Sequence, residues 1–364
     1  MGFASLDLSM PAPLAKLTYQ ALQKGKGAFS LAHKEVSLRL LKTMAPDAVV
    51  KTLPLKPGVI QALHDAMDLL LERDWQDGEE GIYPIELLFS SPWKDWAIRY
   101  PLLWLDSPAA WDRQRRRDFQ DLPGTVNRQH YPAYYLRNFH NQTDGYLSDH
   151  SAALYDLQVE ILFNGAADPM RRRLLRPLKQ ASPRSAAVGG NPLQSVRILD
   201  LATGTGRTMH QLRAAFPRAQ LVGCDLSEAY LRQAGRWLAE RPGELPQLVQ
   251  ANVEAVPFVD GWFDAVTCVF LLHELPRSAR ANCMKEAFRL LKPGGVLAVL
   301  DSVQPKDSPQ FKVLSDNFRR VYHEPFYGDY MVDAIETHLE QAGFTLLPSE
   351  THFLSRLWLA RKPA

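Results

Sequence analysis

Cysteine is scarce in this chain: 364 residues carry only Cys224, Cys268 and Cys283. Their uneven spacing excludes a disulfide framework or a zinc ribbon. All three sit in apolar patterns and read as small buried hydrophobes, suited to a reducing cytosol. No metal site is expected. No apolar run reaches the roughly 18 residues of a transmembrane span, so stable membrane insertion is not expected either. The opening stretch MGFASLDLSMPAPLAKL lacks the basic and then apolar regions of a secretory signal. Leu6 stands where N-terminal acylation after Met-Gly asks for Ser or Thr. A strong charge excess is missing as well. The net charge is +2 and the pI is near 8.3, whereas a dedicated nucleic-acid binder usually shows a domain pI above about 9. Two short basic clusters, Arg113 to Arg117 and Arg171 to Arg173, read as solvated helix faces.

The chain divides at SPRSAAVGGNP, a stretch rich in Pro, Gly and Ser with no periodicity. The expected organisation is a helical region over 1–129, connecting cap helices over 130–181, a linker at 182–194 and an α/β domain over 195–364. Upstream, the stretches 13–24, 33–44 and 58–73 space their apolar residues as helices do. Trp75, Trp93, Trp96, Trp104 and Trp111 crowd one short stretch and read as buried packing. Tyr, His, Asn, Gln and Asp crowd the first half of 130–165, which could line a cleft. Its second half is an amphipathic helix beginning near Ser148.

Downstream, strand and helix patterns alternate. Strands are expected at 195–202, 219–226, 246–253, from 263 and at 296–303, with helices between them and Ser227 as an N-cap. Two final strands follow a last helix. This alternation implies a parallel sheet with right-handed crossovers. The first strand runs into ILDLATGTGR, a small-residue turn ahead of a helix. Such turns let backbone approach a ligand at the carboxyl edge of the sheet. From Gly204 the register reads Gly, Thr, Gly, Arg, Thr, Met209, so the third glycine of a dinucleotide turn is missing. The Gly-Lys-Ser/Thr ending of a phosphate loop is absent too. What is left, Asp200 ahead of Gly204 and Gly206, suits a ligand with an ammonium group and no pyrophosphate.

These residues resemble class I S-adenosylmethionine-dependent methyltransferases, in particular the small-molecule branch with the ubiquinone and menaquinone methyltransferases. The resemblance covers about 195–301 well and the last strands loosely. It implies a Rossmann-like seven-stranded methyltransferase sheet, here with a mainly helical N-terminal domain. The implied cofactor is S-adenosylmethionine, leaving as S-adenosylhomocysteine. Asp200, Ala202, Thr203, Gly204 and Gly206 would form its turn, Ala202 standing where the family has a glycine. Asp225 would hold the ribose hydroxyls, beside Leu226. Asn252, where aspartate is common, and Val253 would edge the adenine. Phe270 and Tyr155 would complete the cofactor site, Tyr155 from a helix that closes over the methionine end.

The end of the fourth strand reads FLLHELP, not the Asn/Asp-Pro-Pro-aromatic motif of nucleobase N-methylation. His273 and Glu274 are therefore the candidate catalytic residues, His273 as a base. His323, Tyr327 and Tyr330, in the insertion after the fifth strand, would line the acceptor's roof. The expected partner is a small, aromatic or quinone-like acceptor methylated on carbon or oxygen. A non-catalytic cofactor-binding protein and a protein methyltransferase are the competing readings.

Overall fold

A computed structural model describes residues 11–181 and 196–364. The linker expected at 182–194 and the extreme N-terminus lie outside the described residues. Among the described residues six α-helices precede the sheet: α1 (Ala12–Met44), α2 (Pro57–Glu79), α3 (Trp93–Arg116), α4 (Asp149–Leu162), α5 (Ala167–Arg172) and α6 (Leu175–Ala181). The helical patterns at 13–24 and 33–44 are one unbroken helix, α1. A Cβ on Gly165, in the turn after α4, would come within 2.7 Å of the Lys26 Cβ, so glycine there lets that turn pack closely on α1. Ser148 caps α4 as expected, accepting from the Ser151 N–H at 3.1 Å.

The second half runs β1 (Arg197–Leu201), α7 (Arg207–Ala215), β2 (Gln220–Asp225), α8 (Glu228–Ala239), β3 (Gln247–Gln250), β4 (Phe263–Val269), α9 (Arg277–Leu290) and β5 (Leu291–Ser302). It ends with α10 (Lys312–Val321), α11 (Tyr327–Tyr330), α12 (Ile335–Ala342), β6 (Thr345–His352) and β7 (Ser355–Arg361). The strand order is β3-β2-β1-β4-β5-β7-β6. The first five are parallel, and β7 inserts antiparallel to both β5 and β6. β1 and β4 are buried almost throughout, as strands covered on both faces must be. The order reverses between β1 and β4, which opens a crevice at their carboxyl ends. β5 begins at Leu291, earlier than the pattern suggests, because Lys292-Pro293-Gly294-Gly295 continues the strand.

The helical region is not a separate ball. Ala15, Tyr19, Trp75 and Tyr83 share one apolar cluster with Ile198, Met209, Leu212 and Val296 of the sheet layer. Trp75 and Trp96 are buried, in keeping with packing. Cys224, Cys268 and Cys283 are all free and buried. Among the described residues no helix is long and apolar enough to cross a membrane.

The basic cluster at 171–173 is not a solvated face. Arg171, Arg172 and Arg173 are buried, paired with Asp168, Asp74 and Asp77 respectively. Arg113 is likewise buried and donates to the Asn141 carbonyl and the Thr143 hydroxyl. Helix periodicity shows which side chains share a face, but not which carboxylates another helix brings to it. Asp74 is the hub of this packing. Its carboxylate accepts from the Tyr19 hydroxyl at 2.5 Å, the Tyr83 hydroxyl at 2.8 Å, and Arg172 at 2.8 and 2.5 Å. Removing one partner of a buried pair strands the other. Asp74→Ala is therefore expected to cost about 3–5 kcal/mol of stability, read by urea denaturation.

Candidate functional site

The glycine turn alternates between right- and left-handed backbone. Ala202, Gly204 and Gly206 have φ of 53°, 56° and 84°. The two glycines serve different ends. A Cβ on Gly204 would meet nothing within 4 Å, so this residue faces open space. A Cβ on Gly206 would press on Ala234 and Leu238 of α8 at 3.2 and 3.0 Å. Ala202 adopts the same left-handed region with a Cβ, which explains why glycine is common there in similar turns. Asp200 closes the turn from beneath, accepting from the Thr203 hydroxyl at 2.8 Å and the Thr267 hydroxyl at 2.6 Å. Burial pushes its pKa up to about 6, against the pull of those two hydroxyls.

Asp225 ends β2 beside the turn. One oxygen accepts from the Gly204 N–H and the other from the Ser227 N–H, each at 2.8 Å. Burial again raises the pKa to about 6, opposed by those backbone donors. The neighbouring Leu226 carbonyl accepts from the Gln250 amide at 3.0 Å. Asn252 turns its side-chain oxygen to the Glu254 N–H at 3.0 Å, shaping its own bend, and Val253 beside it is buried. Phe270, just past β4, also has a left-handed backbone, and its ring stacks on Phe163. Arg171 lies over that ring. Tyr155 meets Tyr146 and Tyr230 edge-on.

The turn Leu272–Glu274 follows β4. His273 gives its Nδ1 to Asp301 at 2.6 Å. Glu274 accepts from the Tyr146 hydroxyl at 2.6 Å and lies 3.2 Å from His140 Nε2. His140 Nδ1 in turn stands 3.1 Å from Glu324. Burial works to lower the His273 pKa, but Asp301, Glu274 and Glu324 outweigh it and hold it near 9. His140 is raised the same way, its burial outweighed chiefly by Glu324. Glu324 itself is pushed up to about 7 by burial. Tyr327 and Tyr330 present their rings to His273, centroids 5.9 and 6.2 Å away.

The fold thus brings His273, Glu274, Tyr327 and Tyr330 together at one strand end. His323 is not among them. It stacks flat on Phe119 at 3.7 Å, where only its carbonyl reaches the cluster by accepting from the His140 N–H. Its neighbour Glu324 occupies the place expected of it. Sequence reasoning also missed His140, Asp301 and Tyr146. The polar crowding at 130–165 was the available signal for His140 and Tyr146, and the strand end LDSV for Asp301. Two surface hollows, of about 720 and 530 Å³, are lined by none of these residues.

The family described as a methyltransferase domain matches residues 198–295. Demethylmenaquinone methyltransferase of Thermus thermophilus is 36% identical over 177 residues, which are 49% of this chain and 73% of that protein. The ubiquinone/menaquinone biosynthesis C-methyltransferase UbiE of Syntrophotalea carbinolica is 36% identical over 159 residues, 44% of this chain and 61% of that protein. More than a third of that relative is therefore unmatched. Among solved structures, human N-acetylserotonin methyltransferase in complex with SAM aligns with a TM-score of 0.44 at 15% identity, covering 60% of this chain and 57% of that one. A SAM-dependent methyltransferase of Methanosarcina mazei aligns with a TM-score of 0.38 at 20% identity, covering 49% and 97%.

The turn's one departure from glycine is open to direct test. Ala202→Gly relieves a left-handed Cβ and is expected to raise the unfolding free energy by about 1 kcal/mol, measured by urea denaturation.

Proposed function

The chain belongs to the class I S-adenosylmethionine-dependent methyltransferases similar to UbiE, and from that premise we propose that it methylates a carbon or oxygen of a small, hydroxylated aromatic or quinone-like acceptor. The observation that carries this is the polar group of His273 and Glu274, just past β4, with Asp301 at the end of β5, on the same sheet edge as the glycine turn. Aromatic walls from Tyr327 and Tyr330 and the similarity to quinone C-methyltransferases support the acceptor class.

The residues present fit the cofactor. Gly204 borders open space, and Asp225 keeps acceptor capacity after satisfying two backbone donors, since a carboxylate has about four lone-pair sites. Asp225 is proposed to take the ribose hydroxyls, with Leu226, Asn252 and Val253 along the adenine. Ala202, Thr203, Gly204 and Gly206 shape the turn, which Asp200 organises from below. Tyr155 and Phe270 close the methionine end. Arg171, missed in the sequence, joins them there as a buried cation.

When bound, S-adenosylmethionine supplies a methyl group already activated by its sulfonium. What the chain adds is alignment, exclusion of water and a place for the acceptor's proton. In its neutral form His273, with Glu274, receives the acceptor's hydroxyl and the proton it sheds as the new bond to methyl forms; with the His273 pKa held near 9, that form grows as pH rises toward 9. Asp301 is a positioning residue: by holding Nδ1 it leaves Nε2 for the acceptor.

Two outcomes test this reading. With labelled S-adenosylmethionine and reduced demethylmenaquinone, label is expected in solvent-extractable product. His273→Ala should lower kcat by about 100-fold or more while donor affinity by calorimetry stays within about twofold. Label entering protein would replace this reading with a protein methyltransferase, and donor binding without any transfer would replace it with a cofactor-binding protein. Donor affinity is also expected to fall as pH is lowered through about 6, because protonating Asp225 consumes an acceptor site. The fall should approach at most about tenfold per pH unit for one proton, and be shallower in Asp225→Asn.

A further inference from the structure

Four side chains from three separate parts of the chain close on one point. His140 comes from the loop between α3 and α4, His273 and Glu274 from the turn after β4, and Glu324 from the segment after α10. Each offers one ligating atom, and those atoms all lie within 4.8 Å of one another. His140 Nε2 is 3.2 Å from Glu274, and His273 Nε2 is 3.9 Å from the same oxygen. Four N and O ligands bound at about 2.0–2.2 Å in a tetrahedron stand roughly 3.3–3.6 Å apart. The cluster is thus near the size of a coordination sphere.

Three further observations distinguish it from a chance meeting of polar groups. His273 gives Nδ1 to the fully buried Asp301, which aims Nε2 into the cluster, the carboxylate–histidine arrangement that orients metal ligands. Glu324 has no side-chain exposure, and its Oε2 is buried without a hydrogen-bond partner among the described residues. An unpaired buried carboxylate oxygen is costly and calls for a cation. His140 holds a left-handed backbone, φ 55° and ψ 18°, strain of a kind that concentrates at functional positions. Three carboxylates, counting Asp301, surround two imidazoles.

We propose that His140, His273, Glu274 and Glu324 hold a divalent first-row transition-metal cation. Two imidazoles and two carboxylates, with no thiolate, suit zinc, iron(II) or manganese. The cation ties the N-terminal region, through His140, to the catalytic strand end. It also stands where the acceptor's oxygen is placed above: with the cation bound, His273 Nε2 would be a ligand and no longer the base, and the cation would take the acceptor's oxygen and ease loss of its proton. That last consequence rests on the proposed function; the site itself does not.

The test uses the full chain, stripped with a chelator and titrated with zinc by calorimetry and with cobalt(II) by visible absorption. One zinc per chain is expected, with cobalt d–d bands and no sulfur-to-cobalt charge transfer. His140→Ala and the near-isosteric Glu324→Gln should each weaken zinc by about 100-fold or more, and Asp301→Asn by about 10–100-fold. Circular dichroism checks that each variant is folded, and the wild-type cobalt spectrum tests the ligand types without any variant. No saturable binding, a thiolate spectrum, or zinc affinity indifferent to both His140→Ala and Glu324→Gln would overturn the proposal. None of these readouts uses methyl donor or acceptor. A failure here leaves methyl transfer standing, and an inactive transferase leaves the cation site standing.

Discussion

The buried carboxylate of Asp301 is the constraint on which the carboxyl edge of the sheet depends. It accepts from the Leu272 N–H at 2.6 Å, from His273 Nδ1 at 2.6 Å and from the Ser302 N–H at 2.7 Å. A parallel strand that stops at a ligand crevice leaves backbone donors without a ladder partner, and buried donors must find acceptors. Asp301 supplies them for the turn after β4 and the end of β5 together. The same device recurs along the edge. Asp225 satisfies the Gly204 and Ser227 N–H groups at the end of β2. Asp200 anchors two threonine hydroxyls at the end of β1. Three acidic residues at three strand ends thus fix loop geometry first, and whatever chemistry they do is built on that.

The helical region matters to this edge because it is fastened to it with buried polar contacts. The Thr205 hydroxyl of the glycine turn donates to Asp156 of α4 at 2.5 Å. The Ser227 hydroxyl donates to the Tyr146 carbonyl at 2.5 Å, and Arg207 at the start of α7 pairs with Asp168 of α5. Tyr146 passes the connection on to Glu274. The region before the sheet therefore brings His140, Tyr146, Tyr155 and Arg171 to the crevice, of which the sequence singled out Tyr155. Such contacts carry a desolvation penalty, so they specify one docking geometry more than they add stability.

The first half of the molecule was legible mainly as helices, and its buried arginines were misjudged for a clear reason. Arg171 to Arg173 carry charge, and charge in a helix usually faces water. For Arg172 and Arg173 only the placement of Asp74 and Asp77 on α2, 98 and 96 residues away, reverses that, whereas Asp168 lies three residues before Arg171 on α5 itself, within reach of helix spacing. His323 misled in the opposite sense. Its residue type suited a polar roof, yet its ring found Phe119 and left the adjacent Glu324 to face the cluster.

By itself the sequence determined the sheet and the small-residue turn at its edge, because those features are local. Buried strands, their order with intervening helices, the small-residue turn and the acidic strand ends are all set within short stretches of chain. Tertiary structure alone decided which groups meet at the end of β4. His140 and Glu274 are 134 residues apart, and His140 and Glu324 are 184 apart. No spacing rule connects such positions. They meet because a loop before α4, a turn after β4 and the segment after α10 must all cover the same open end of a parallel sheet, and burying them there demands that their charges be paired.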